Sequence, residues 1–314
     1  MSYLRQPLRI GTRGSPLALV QAHYVREQLR DSQELLSEND AIEIVPIQTT
    51  GDRMKDTKLS EVGGKGLFTK EIDLALLSSD VDIAVHSMKD MPTALPKGIV
   101  IGCLLPREDP RDALITQNGG SYADLPRDAV IGTASLRRSA QLLASRPELR
   151  VVSLRGNVDT RLAKLGSGEM DATLLAVAGL KRLGRADVIT TILPVDEMMP
   201  AVAQGAIGVA CRSEDDDVLE ILRPLNHANT VFSITAERAF LAHLDGSCQT
   251  PIAALAKIDG AGRVILSGLL AALDGSTLVK GSRSGVASSA AEIGRSLGAQ
   301  LLAEAGPDFL VSTR

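Results

Sequence analysis

Tryptophan is absent from the 314 residues, and only three Tyr and four Phe are present. So few rings leave no stacking platform for bases and no aromatic cage for a quaternary ammonium. Cysteine is scarce as well: Cys103, Cys211 and Cys248 are odd in number and include no Cys-x-x-Cys pair. That usage suits a reducing cytoplasm better than a disulfide framework. The four histidines, His23, His86, His227 and His243, show neither HxxxH nor HxxE spacing, so no metal site is expected. No apolar run reaches the roughly 20 residues of a membrane helix. The opening MSYLRQPLRIGT has no apolar h-region, so no secretory signal is expected. A formal net charge of -4 argues against a general nucleic-acid binder, which carries a basic face.

What is present is arginine: 24 Arg against 10 Lys. Coding bias is one explanation; the other is recognition of carboxylates or phosphates, which the planar guanidinium fork suits. The length suits two domains, possibly three. Short apolar runs alternate with helical stretches through the first two thirds, which predicts an α/β protein with mostly parallel sheets. Leu8 to Gly11 reads as a buried strand. Ser15-Pro16 then reads as an N-cap with proline at the first helical position, opening a helix through Leu17, Val20, Tyr24 and Leu29. A related pattern returns at Val130-Ile131-Gly132-Thr133, with Ser135 as cap and a helix from Leu136 to Ala144. A second echo pairs Val81-Asp82-Ile83-Ala84-Val85 with Met170-Asp171-Ala172-Thr173-Leu174-Leu175. Two similar lobes are expected, and paired lobes bind ligands in the cleft between them. Beyond Pro224 the pattern changes to a helix near Val231 to Leu244 and strands near 253–258, 264–271 and 277–281. A closing helix covers 290–305, so the end of the chain reads as a small α+β domain with an antiparallel sheet.

Arg13 precedes the first helix cap, and Arg137 and Arg138 fall in the first turn of the helix capped by Ser135. Cations there oppose the helix dipole by about 0.3–1 kcal/mol each where exposed. Two readings stay open: pairing with a nearby acid, or convergence with the helix N-terminus on a bound anion. Residues 131–161 hold six Arg (137, 138, 146, 150, 155, 161) against Glu148 and Asp159, an excess of +4 in an acidic chain. Arg155 follows the strand Val151 to Leu154, at the strand end where open α/β sheets place ligands. Lys181-Arg182 extends the basic wall. Gly63-Gly64-Lys65-Gly66 fails the P-loop pattern, Gly166-Ser167-Gly168 fails GxGxxG, and no GxSxG elbow occurs. His86-Ser87-Met88-Lys89-Asp90 follows a buried strand, either as an ordinary turn or as a site where Asp90 faces a developing cation. Cys103 and Cys211 lie in apolar runs, whereas Cys248 lies in a polar loop, where a thiol can be a nucleophile or an attachment point.

These pieces together resemble the porphobilinogen deaminase (hydroxymethylbilane synthase) family over nearly the whole chain. The motifs run in order: Ile10-Gly11-Thr12-Arg13-Gly14-Ser15-Pro16, Gly63-Gly64-Lys65-Gly66-Leu67-Phe68, Val85-His86-Ser87-Met88-Lys89-Asp90-Met91-Pro92 and Arg107-Glu108-Asp109-Pro110-Arg111-Asp112. Then come Gly132-Thr133-Ala134-Ser135-Leu136-Arg137-Arg138, Leu154-Arg155-Gly156-Asn157-Val158, Ala178-Gly179-Leu180-Lys181-Arg182 and Gly246-Ser247-Cys248-Gln249. The resemblance implies two lobes like type 2 periplasmic binding proteins: 1–105 with 200–223, and 106–199. It also implies a C-terminal domain, 224–314, carrying the attachment cysteine. It implies head-to-tail polymerisation of four porphobilinogens into 1-hydroxymethylbilane, with release of ammonia, in tetrapyrrole biosynthesis. A dipyrromethane cofactor would be tethered by a thioether to Cys248. Asp90 is then the catalytic carboxylate. Arg13, Ser15, Lys65, Phe68, Ser87, Lys89, Thr133, Ser135, Arg137, Arg138, Arg155, Arg161 and Arg182 are implied to bind the carboxylate-rich cofactor and substrate. Ser247 stands where relatives commonly have Gly, and Glu61 where some bacterial ones have Lys. A lid over 49–62, a monomer in the cytoplasm, and no nucleic-acid or membrane partner complete the expectations. The rival classes are a non-catalytic solute-binding protein and a ligand-sensing regulator, for which no helix-turn-helix is found.

Overall fold

The Ile-Gly-Thr signals mark interior strands of two sheets in the computed structural model, which describes residues 7–38, 40–53, 66–246, 250–306 and 309. Strand β1 (Leu8–Arg13) runs to Ser15, whose hydroxyl accepts from the Ala18 amide at 3.4 Å and caps α1 (Pro16–Ser32). Ala22, Val25 and Leu29, at helical spacing, turn one face of α1 fully into the core. The first sheet has the order β2 (Ile42–Ile47), β1, β3 (Ile83–Ser87), β10 (Ile207–Arg212), β4 (Ile99–Leu104), with β10 antiparallel to both of its neighbours. Leu8, Ile10, Ile83, Val85 and Val209 form its core together with Cys103 and Cys211, each large aliphatic contributing about 1.5–3 kcal/mol by burial. Burial pushes the Cys103 thiol up to about 12 and Cys211 to about 11, so both behave as core hydrophobes. Helix α2 (Lys70–Leu77) packs Ile72 and Leu76 on the same sheet.

The second sheet repeats the plan: β7 (Arg150–Val152), β6 (Val130–Gly132), β8 (Ala172–Ala176), β5 (Asp112–Thr116), β9 (Thr191–Ile192), with β5 the reversed strand. Four of the five strands in each sheet therefore run one way. Gly132, the glycine of the second Ile-Gly-Thr, lies in close packing, where a Cβ would displace Met170 Sδ at 2.2 Å and press on Leu154 at 3.0 Å. Helices α3 (Leu136–Ser145), α4 (Val158–Gly166) and α5 (Val177–Arg182) follow β6, β7 and β8. In each sheet the reversed strand is the one laid down just after the chain has passed from one sheet to the other. That exchange gives both sheets the same plan, one reversed strand set between four that share a direction.

After α6 (Asp216–Leu222) and α7 (Ala228–His243), an antiparallel sheet of order β11 (Ile252–Ile258), β12 (Arg263–Ala271), β13 (Leu278–Val286) packs with α8 (Ala290–Ala305) around Phe240, Leu266 and Leu297. By backbone proximity the chain forms two compact units, Met1–Arg107 with Ala206–Val231 and Glu108–Gly205 with Phe232–Arg314. Among the described residues no helix is long and apolar enough to cross a membrane.

Candidate active site

In the first unit, β3 ends at Ser87 and passes into a 3-10 turn, Met88–Asp90. The turn is anchored by apolar side chains at both ends, Met88 at 1% and Met91 at 5% exposure, and by the Met88 amide donating to the Ala206 carbonyl at 3.0 Å. Lys89 is half-buried and Asp90 is turned outward. Among the described residues nothing pairs with the Asp90 carboxylate. Ser87 Oγ meets the side-chain amide of Gln21 at 2.9 and 3.1 Å. Arg13, the last residue of β1, stacks its guanidinium 4.3 Å from the centre of the Phe68 ring and forms an ion pair with Asp52. Thr49 Oγ1 donates to Asp52 at 2.7 Å. Burial alone would raise the Asp52 carboxyl, but Arg13 and Thr49 hold it below its usual range. His86, 6% exposed, has no partner for Nε2 among the described residues, and burial, with Arg13's charge adding, pushes its imidazole down to about 4. Ser15 Oγ is engaged as the helix cap. Lys65 lies outside the described residues, as does most of the expected lid, 54–62. Its first part forms the helical turn Thr50–Arg53, tied by Thr50 donating to Glu71.

In the second unit, Ser135 Oγ accepts from the Arg138 amide at 3.4 Å and starts α3. Thr133, nearly buried, accepts from the Ser135 amide at 3.2 Å. Arg137 and Arg138 are buried, at 4% and 5% exposure, and share the wholly buried carboxylate of Asp112. Arg137 Nη1 lies 2.8 Å from Oδ2 and Arg138 Nη2 2.6 Å from Oδ1. Of the two readings open for these arginines, pairing with an acid is realised at their terminal nitrogens. Their Nε–H groups are also buried and have no acceptor among the described residues. Burial would raise the Asp112 carboxyl, but the two guanidiniums hold it far below the ordinary range. Arg155 is half-buried in the turn after β7. Asn157 caps α4, accepting from the Thr160 amide at 2.9 Å, and Arg161 Nε donates to the Gly156 carbonyl at 2.8 Å. Arg182, at the end of α5, donates to the Gly205 carbonyl at 2.7 Å, and its neighbour Lys181 pairs with Glu108 at 2.8 Å. Cys248 lies outside the described residues; the chain before it ends α7 at His243, and Asp245 adopts φ +48. Asp52, Asp112 and Gln21 partner expected site residues, and Gln204 reaches them through Asp112; none of the four was expected in the site. Asp112 lies in a quoted motif, but its partners are 25 and 26 residues away.

The fold and these side chains define an α/β protein of two like-built five-stranded sheets, with the Asp90 carboxylate turned outward, a buried pair of guanidiniums and an added antiparallel C-terminal sheet. Residues 8–220 match the family model described as porphobilinogen deaminase, dipyromethane cofactor binding domain, and 231–303 match the C-terminal domain of the same family. The chain is 55% identical over 307 residues to a chloroplastic porphobilinogen deaminase of Oryza sativa subsp. japonica, covering 97% of this chain and 86% of that one. It is 52% identical over 305 residues to a porphobilinogen deaminase of Paracoccus denitrificans, covering 97% and 96%. Among solved structures, a Salmonella typhimurium periplasmic binding protein of high arginine specificity aligns at 14% identity and TM-score 0.40, over 70% of this chain and 92% of that one. The chain belongs to the porphobilinogen deaminase family.

The family's cofactor is dipyrromethane, and the residues present fit a carboxylate-bearing group. Arg137 and Arg138 bring two positive charges to the single negative charge of Asp112, and each keeps a buried N–H that has no acceptor among the described residues. A buried donor left unpaired is costly, so an anion supplied by a ligand suits the place.

Proposed function

We propose that this chain joins four porphobilinogen molecules head to tail into 1-hydroxymethylbilane, releasing one ammonia per addition. The observation that carries the proposal is Asp90, held outward between two buried methionines with its carboxylate unpaired among the described residues. A carboxylate so placed accepts the pyrrole N–H of the incoming substrate. It also offsets the positive charge that develops as the C–N bond to ammonia breaks. Lys89 beside it, and Arg13 stacked on Phe68, take the acetate and propionate of that pyrrole. His86 stays neutral above pH 6 and adds no charge next to Arg13. In the other unit Thr133, Ser135, Arg137, Arg138, Arg155, Arg161 and Arg182 hold carboxylates of the lengthening chain. Lys65 and Ser15 are assigned to the same task. Dipyrromethane, bound through a thioether at Cys248, supplies the pyrrole carbon on which the chain grows.

We read the protein as a cytoplasmic monomer of three domains: 1–105 with 200–223, 106–199 and 224–314. The buried free thiols Cys103 and Cys211 fit a reducing compartment, and the few exposed large apolar side chains, such as Leu35 and Val286, are spread along the sequence.

Intact mass of the purified chain tests the proposal. An increment equal to two linked pyrrole units, present in the wild type and lost in Cys248→Ser, is the expected result. An unmodified chain that turns over porphobilinogen would refute the tether, and an unmodified chain without turnover would favour the solute-binding alternative.

A further inference from the structure

Asp112 opens β5, is wholly buried, and accepts hydrogen bonds at both of its oxygens. Oδ2 accepts from Arg137 at 2.8 Å, while Oδ1 accepts from Arg138 at 2.6 Å and from Gln204 Nε2 at 2.9 Å. The remaining terminal bonds are backbone ones: Arg137 Nη1 to the Met199 carbonyl at 2.7 Å and Arg138 Nη1 to the Leu174 carbonyl at 2.8 Å. Gln204 is itself held, donating to the Pro110 carbonyl at 2.7 Å. Its neighbours Ala203 and Gly205 both have positive φ, +60 and +90. Ala203 donates its amide at 2.6 Å to the wholly buried Glu237, whose other oxygen accepts from Ala256 at 2.8 Å. Each guanidinium is thus held at its far end, Arg137 through Nη1 and Arg138 through both terminal nitrogens, and each has a buried Nε–H with no acceptor among the described residues. Two guanidiniums against one carboxylate leave a formal +1 in a buried place, a balance that one further anion closes.

We infer that Asp112 and Gln204 are positioning residues: they lock the planes of Arg137 and Arg138 so that the pair receives a carboxylate of the bound oligopyrrole. The inference rests on the function proposed above and deepens it. Neither residue touches the ligand; they act through the arginines. An interaction made equally in ground and transition states moves KM and leaves kcat. A residue that only stabilised the fold would lower Tm and change neither below it.

The test compares wild type, Asp112→Asn and Gln204→Met, well below their melting temperatures, by intact mass and by porphobilinogen kinetics. Expected are a smaller fraction of chains carrying the two-pyrrole increment, or a KM raised about tenfold with kcat changed less than about threefold. Wild-type increment and KM in folded variants would overturn the inference, as would a fall in kcat alone. If Asp112→Asn does not fold, Gln204→Met, which keeps both charges and removes one donor, decides by itself. A wild type with neither increment nor turnover would sink the functional reading instead, so the two failures are told apart.

Discussion

Replacing His86 by glutamine should flatten the protein's loss of stability in mild acid. His86 sits on β3 at 6% exposure with its Nε2 unpartnered among the described residues, and burial, helped by Arg13, lowers its imidazole to about 4. An unfolded chain titrates the same group near 6.5. Between those values the unfolded state binds the proton and the folded state does not, so stability rises with pH across the window. The contribution is present in full above pH 6.5, is lost as pH falls toward 4, and changes no further below that. At about 1.4 kcal/mol per pH unit the full effect is ~3 kcal/mol, of which about 2 kcal/mol falls between pH 7 and 5. Urea denaturation followed by circular dichroism at pH 7.5, 6 and 5 measures it. The wild type should lose about 2 kcal/mol more than His86→Gln over that range. Other titrating groups act in both proteins and cancel in the difference. Equal pH slopes in the two would refute the reasoning, since an imidazole that protonates freely in the folded state cannot sit where the structure places it.

Asp90→Ala should leave the melting temperature within a few degrees, because the side chain is exposed and unpaired among the described residues. Turnover of porphobilinogen should fall by about a hundredfold or more; a near-normal rate in a continuous assay would reject its catalytic role. Gly205→Ala should destabilise the chain by about 2–3 kcal/mol, because φ is +90 and the added Cβ would lie 2.4 Å from the Glu108 carbonyl oxygen. Thermal denaturation reads this directly, and an unchanged midpoint would contradict the geometry.

Local signals were legible in the sequence. Ser15 and Ser135 cap their helices by bonds spanning three residues, and a closing helix read over 290–305 is α8 itself. Signals that depend on distant partners were not. The strand read at 81–85 lies at Ile83–Ser87, because Asp82 is spent on Arg9, whose amide and guanidinium it accepts at 2.9 Å. The last strand runs past 281 to Val286, through polar Ser282, Arg283 and Ser284. Pairing with β12, Arg263 opposite Val286, sets its length rather than any apolar alternation. Arg13 was visible at the end of β1, but Asp52, 39 residues on, was not visible as its partner.

The two arginines at the start of α3 are where topology and chemistry meet. A cation in the first turn of a helix opposes the dipole, and two adjacent ones demanded a cause. That cause is Asp112, the first residue of the reversed strand in the second sheet, together with Gln204, three residues before the reversed strand of the first. Both lie on segments where the chain passes from one sheet to the other, so the same exchange that builds the lobes also brings a carboxylate and an amide to the arginine pair. Removing the charge at Asp112 would leave two buried guanidiniums facing each other, a loss on the order of 3–5 kcal/mol for a broken buried pair. Removing the Gln204 donor costs about 1 kcal/mol. Gln204→Met is therefore the variant that can separate the positioning of the arginines from the folding of the lobe.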